Sequence, residues 1–121
     1  MADPVIHFEI MGKDPAALQS FYKQAFDWNV GAPMGPQAGN YAIVEAAGKG
    51  GIGGGIGGGM PGYDGHVTIY VAVDKLEDAL AKIEGLGGKM KMPPDQVPGG
   101  PRIAQFTDPE GHMVGLVEMP G

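Results

Sequence analysis

The sequence predicts an α+β fold: two βαβββ modules whose strands form a cupped mixed β-sheet with helices on the outer face. Three observations predict it. Apolar–polar alternation of strand period begins twice at a histidine-bearing segment, at Val5–Met11 and at His66–Val73. Each is followed by a helical period that opens on an aspartate, Asp14 or Asp74. After each helix come three more short strand-like segments, so the halves repeat one plan. The expected organisation is a single domain over residues 1–121, made of modules at about 4–60 and 64–119.

In the first module Ile6, Phe8 and Ile10 share one face of the opening strand, and His7, Glu9 and Met11 share the other. The apolar face is expected to meet helices, which turns the His7–Glu9 face toward a polar cavity or solvent. Asp14-Pro15 starts the first helix, and Leu18, Phe21, Tyr22 and Ala25 form its core stripe. A short strand is expected around Trp28–Gly31, a loop at 33–39 and a strand over Asn40–Ala46.

Glycine, 23 of 121 residues, is concentrated in the run Gly48–Gly65. A phosphate cradle would open a helix and carry a Lys-Ser or Lys-Thr pair, and this run has neither. The expectation is a glycine-rich strand near Gly51–Gly57 with Ile52 and Ile56 on one face, followed by a mobile loop. Its bare backbone leaves room for a ligand or partner, and a plain flexible connector is the alternative.

In the second module Val67, Ile69, Val71 and Val73 alternate with His66, Thr68, Tyr70 and Ala72. Asp74 and Glu77 resemble a capping box, and Leu76, Ala79, Leu80 and Ile83 form an amphipathic helix stopped by Gly87-Gly88. Strands follow at Lys89–Met92 and Arg102–Thr107, with a turn-rich loop at 93–101. The turn Asp108-Pro109-Glu110-Gly111 leads into the last strand, Met113–Glu118.

A net charge of −6 with scattered basic residues argues against nucleic-acid binding, which needs clustered Lys and Arg. The chain has no cysteine, which excludes disulfides and thiolate metal sites and fits a reducing compartment. No apolar run approaches the roughly 20 residues of a membrane span, and the opening residues lack a signal-peptide profile. A cytoplasmic protein without membrane contact is expected.

The chemistry centres on two imidazoles and an acid at strand ends: His7, His66 and Glu118. Such a set can hold a divalent ion (Fe, Mn, Ni or Zn) and leave positions open for substrate. Adjacent antiparallel pairing would bring Glu118 to the start of the His66 strand. Glu9 is the candidate general base and substrate contact, since it points the same way as His7. Thr68 and Tyr70 are expected to line the cup as further substrate contacts, and His112 to be a surface turn residue.

His-Phe-Glu-Ile at 7–10, the helix with Asp-Pro, Phe-Tyr and Phe-Asp-Trp at 14–28, and Phe-Thr-Asp-Pro-Glu-Gly-His at 106–112 closing on Gly-Leu-Val-Glu at 115–118 resemble the vicinal oxygen chelate superfamily. That group includes glyoxalase I, extradiol dioxygenases, methylmalonyl-CoA epimerase and the bleomycin resistance proteins. The resemblance implies a homodimer and a metal site on the first and fourth strands of each module, with His7, His66 and Glu118 at three ligand positions. The remaining position, the second, falls near Gly59, where no donor stands, and Glu45 lies a strand too early. The function implied is chelation of vicinal oxygens of a small substrate at a divalent metal, with lyase, isomerase or dioxygenase chemistry. The alternative is a metal-free small-molecule binding or antibiotic-sequestering protein of the bleomycin-resistance type.

Overall fold

The computed structural model describes residues 2–119. Its seven strands and two helices divide into two compact units, His7–Val67 and Met1–Ile6 with Thr68–Gly121, so the boundary falls within β1 (Val5–Gly12) and β4 (His66–Val73). Each unit holds a mixed sheet and one helix, the α+β class expected. Among the described residues no helix is long and apolar enough to cross a membrane.

In the first unit β3 (Gly53–Gly58) runs parallel to β1 and antiparallel to β2 (Ala42–Val44). The expected strand at Trp28–Gly31 is a single bridge from Val30 to Val44. Helix α1 (Pro15–Phe26) starts as the sequence predicts: Asp14 accepts the Ala17 N–H at 3.1 Å and Pro15 sits in the first turn. It ends at Asp27 in the left-handed conformation (φ 58°).

Leu18 and Tyr22 pack with Phe8, Trp28 and Val30 against the buried Ile10, Val44 and Ile56. Tyr22 stacks on Trp28 with ring centres 5.5 Å apart. The expected core stripe is narrower than four residues, because Phe21 is 60% exposed and Ala25 is exposed too. The helix face that meets the sheet is instead completed by Gln19. Buried, its amide donates to the carbonyls of Asn40 (2.8 Å) and Ile56 (2.7 Å), which removes the penalty of a buried polar group.

In the second unit the order is β4, β7 (Met113–Glu118), β6 (Arg102–Thr107), β5 (Lys89–Gln96). β4 and β7 are parallel, and the other two pairings are antiparallel. α2 (Leu76–Gly85) lays Leu76, Leu80 and Ile83 on Val73, Ala104 and Leu116. Leu76 and Leu80 are almost wholly buried, each worth roughly 1.5–3 kcal/mol. Gly87 beyond the helix, at φ 101°, takes the stop position expected of it. β5 runs four residues further than expected, through Pro93 and Pro94, with register shifts around Met92. As the last strand in the order it has one unpaired side, where proline's missing N–H removes no ladder bond.

Gly85 closes α2 in a conformation any residue adopts, with open space where a Cβ would stand. Gly85→Ala should therefore raise stability by about 0.5–1 kcal/mol through the helix preference of alanine. Urea unfolding checks it, and a loss of stability would contradict it.

The glycine run is a correction. β3 is a strand, as expected, but its backbone is not bare. A Cβ at Gly54 would fall inside the ring of Phe8, and one at Gly55 inside the ring of Tyr41. Gly54 and Gly55 thus admit aromatic rings, from β1 and from the residue before β2, and Ile52, 40% exposed, lies outside the strand while Ile56 is fully buried.

Candidate functional site

Because Phe8 and Ile10 enter the core under α1, the pleat sends His7 and Glu9 to the opposite face of β1. There Glu9 Oε2 lies 2.6 Å from His66 Nε2, and the two side chains are 13% and 16% exposed. The second imidazole nitrogen, Nδ1, meets the hydroxyl of Tyr63. One neutral tautomer satisfies all three groups: Nε2–H donates to the carboxylate, and the phenol donates to Nδ1. The phenol of Tyr63 is pushed above its ordinary pKa by burial and by the negative charge of Glu9.

His7, two residues before Glu9, places Nε2 at 2.7 Å from the Tyr41 hydroxyl, with the rings roughly parallel at an interplanar angle of 17°. Burial holds the His7 pKa below its ordinary value, partly offset by the Glu9 charge, so this ring is neutral at pH 7. The first unit thus gathers two imidazoles, one carboxylate and two phenols. Sequence reasoning found His7, Glu9 and His66 and missed Tyr41 and Tyr63. Tyr63 had one usable signal, an aromatic ring three residues before His66 in a glycine-rich loop. For Tyr41 the signal was indirect: a glycine strand needs rings to fill it.

Glu118 has a different place. β4 and β7 run parallel with Val73 opposite Glu118, so the acid stands at the end of β4 rather than at the His66 start. The antiparallel pairing expected between them does not occur. Both Glu118 oxygens receive Arg102 Nη1, at 3.0 and 2.9 Å, and Oε2 also accepts the Leu76 N–H at 3.0 Å. Glu118 therefore caps α2, the role the sequence reading gave to Asp74 and Glu77. The helix begins one residue later than an Asp74 cap requires, with Lys75 at the cap position and no side-chain cap bond of its own. Glu77 takes the other nitrogen of Arg102 at 2.6 Å.

That geometry bears on the metal the resemblance implies. A carboxylate whose oxygens already hold a guanidinium and a helix N–H does not fit a divalent ion, and the nitrogens of His66 are taken up by Glu9 and Tyr63. Among the described residues no three His, Asp or Glu side chains group to hold a metal. Glu118, already holding Arg102 and the Leu76 N–H, is not open to a metal ion.

Thr68 and Tyr70 are both buried in the second unit. Thr68 donates to the Met113 carbonyl at 2.5 Å, while the Tyr70 ring lies over Gly115 and its hydroxyl accepts from Gln105 at 3.3 Å. His112 is in the exposed turn as expected, with Nδ1 2.9 Å from Asp108. An open depression of about 650 Å3 in the second unit is lined by Arg102, Glu118, Glu77, Asp74 and Lys75, the surroundings of the α2 cap.

The capping carboxylate sets an acid limit on stability. The Leu76 N–H, and then Arg102, hold Glu118 below the usual carboxylate range, and Arg102 does the same to Glu77. Groups so depressed contribute stability that is present above the unfolded value, about 4.3, and lost as pH falls through the lowered folded values. Glu118→Gln should flatten the fall in the urea midpoint between pH 5 and pH 3. An unchanged acid limb would sink the assignment.

The glyoxalase family's sequence model matches residues 5–116. The chain belongs to the Glyoxalase/Bleomycin resistance protein/Dioxygenase superfamily. It is 31% identical to the anthracycline biosynthesis protein DnrV of Streptomyces peucetius, over 86% of this chain and 42% of that protein. The chain spans about two fifths of the length of the curated relatives it matches. Among solved structures, a methylmalonyl-CoA epimerase in complex with methylmalonyl-CoA and NH4+ superposes with a TM-score of 0.70 at 17% identity, covering 100% of this chain and 97% of that one. The methylmalonyl-CoA epimerase from Mycobacterium tuberculosis gives 0.70 at 13% identity, covering 97% and 88%. These likenesses establish the glyoxalase fold.

Proposed function

We propose that this glyoxalase-superfamily chain is a proton-transfer enzyme of the isomerase or lyase type, acting on a small oxygen-bearing substrate with Glu9 as its base and His66 as the residue that positions it. One observation carries the reading: a carboxylate, an imidazole and a phenol stand in hydrogen-bonded sequence, Glu9–His66–Tyr63, with the first two largely withdrawn from water. The Glu9 carboxylate removes a proton from a carbon next to a carbonyl. The C–H electron pair passes into an enolate, and return of the proton to carbon restores the carboxylate. His66 orients the carboxylate, and Tyr63 orients His66. The fold likeness to epimerases that bind methylmalonyl-CoA supports this substrate chemistry. No step is assigned to a metal. A homodimer, implied by the family resemblance, belongs to the same reading and is checked by light scattering.

The test is solvent exchange. Methylmalonyl-CoA and a panel of small α-hydroxy and α-keto carbonyl compounds are incubated with the protein in D2O, and loss of the C–H signal is followed by NMR. Exchange by the wild type that Glu9→Gln lacks supports the proposal. No exchange above the variant with any compound would overturn it, and saturable binding without exchange would move the assignment to a sequestering protein.

A further inference from the structure

We infer that the outer face of α1 is where two copies of this chain pair, with the two helices antiparallel and Phe21 of each at the centre. The inference deepens the proposed function by giving its homodimer a surface.

The two modules offer a built-in comparison. Each helix lays one side on its sheet. The other side of α2 is that of a solvated helix, for Glu77, Asp78, Lys82 and Glu84 give its ten residues four charges. The twelve residues of α1 hold one, Lys23, which lies two positions beyond Phe21 and points away from it. The outer side of α1 instead carries Ala17, Ser20, Phe21, Gln24 and Ala25, all exposed, around a shallow depression of about 520 Å3. The Phe21 ring meets Tyr22 edge-on with centres 5.1 Å apart, so a large apolar group is held in place while most of its surface stays in water.

Three features make a second copy the occupant. Ala17 and Ala25 stand four residues to either side of Phe21, so the face reads alike in both directions. An antiparallel copy sets the two Phe21 rings side by side against the partner's alanines, the self-complementarity that a two-fold interface requires. Charge selects the same face. The chain carries a net charge of −6, so two copies repel, and here they approach with no like charges opposed. Antiparallel helices also bring the positive end of each dipole beside the negative end of the other. Finally, the two polar side chains of the face serve one another: Gln24 Nε2 donates to Ser20 Oγ at 2.6 Å, which lowers the cost of covering them.

Sedimentation equilibrium and cross-linking test it. The wild type should be a dimer, and Phe21→Glu, folded by circular dichroism, should raise the dimer Kd roughly 100-fold or more, the loss expected of an aromatic anchor at the centre of an interface. Leu86→Glu, at another exposed apolar residue, should leave the Kd unchanged. The chain has no cysteine. A mixture of Ala17→Cys and Ala25→Cys chains treated with a short bismaleimide should therefore link position 17 to position 25 in preference to like positions. A monomeric wild type would overturn the inference, while solvent exchange judges the proton-transfer reading separately. A dimer that survives Phe21→Glu, or that links like positions, would overturn the surface and leave the homodimer standing. Equal loss of the dimer in Leu86→Glu would overturn it too, as an effect of added charge alone.

Discussion

Gly65→Ala is expected to destabilise the chain by about 3–5 kcal/mol, enough to leave much of it unfolded at 37 °C. Gly65 has φ of 114°, a region nearly closed to residues with a Cβ, and a Cβ there would land on the main-chain carbonyl of Met11. Gly58, at φ 135°, is trapped the same way against the carbonyl of Gly12. Backbone cannot swing aside as a flexible side chain can, so both substitutions force β1 and its neighbour apart. Gly62, also at positive φ (75°) but with nothing within 4 Å, is the control. Gly62→Ala pays only the left-handed conformation, on the order of 1 kcal/mol. Guanidinium unfolding of the three variants separates these causes, and equal losses at 62 and 65 would show that backbone contact is not what holds the loop. The ion pair of Lys13 with Asp64, 3.3 Å apart and largely exposed, contributes little beside this.

Glu9→Gln is expected to lower proton exchange at least 100-fold while leaving the fold intact, the range that general-base groups supply. The amide matches the carboxylate in shape, so the hydrogen bond from His66 Nε2 has an acceptor still, but the group no longer takes a proton. His66→Asn should lose comparably through misplacement of the carboxylate. Tyr63→Phe should lose less, about 10-fold, because it removes only the outer hydrogen bond. The pH direction follows from His7. Its folded pKa lies below the unfolded value, so its contribution to stability is complete above about 6.5 and declines as pH falls toward the lowered folded value. The urea midpoint measured from pH 8 to pH 5 should fall at the acid side as His7 becomes cationic. A midpoint that rises into acid would contradict the neutral His7.

The sequence by itself determined what depends on neighbours along the chain. Alternation placed Phe8 and Ile10 inside and thereby His7 and Glu9 together on the other face. Asp14-Pro15 started α1, Gly87 stopped α2, and the repeated strand–helix plan disclosed the family. Each of these is a local preference whose period or cap is written in a few consecutive residues. The tertiary structure decided what depends on register between distant strands. Parallel pairing of β4 with β7 put Glu118 beside Val73 and made it the cap of α2, although its strand reads the same either way. Pairing of β3 with β1 and β2 turned a run of glycines into seats for Phe8 and Tyr41, and the loop before β4 brought Tyr63 to His66. A one-residue change of register would undo each of these contacts while leaving every local pattern as it stands. Partners chosen by register between strands leave no mark in any one stretch of sequence.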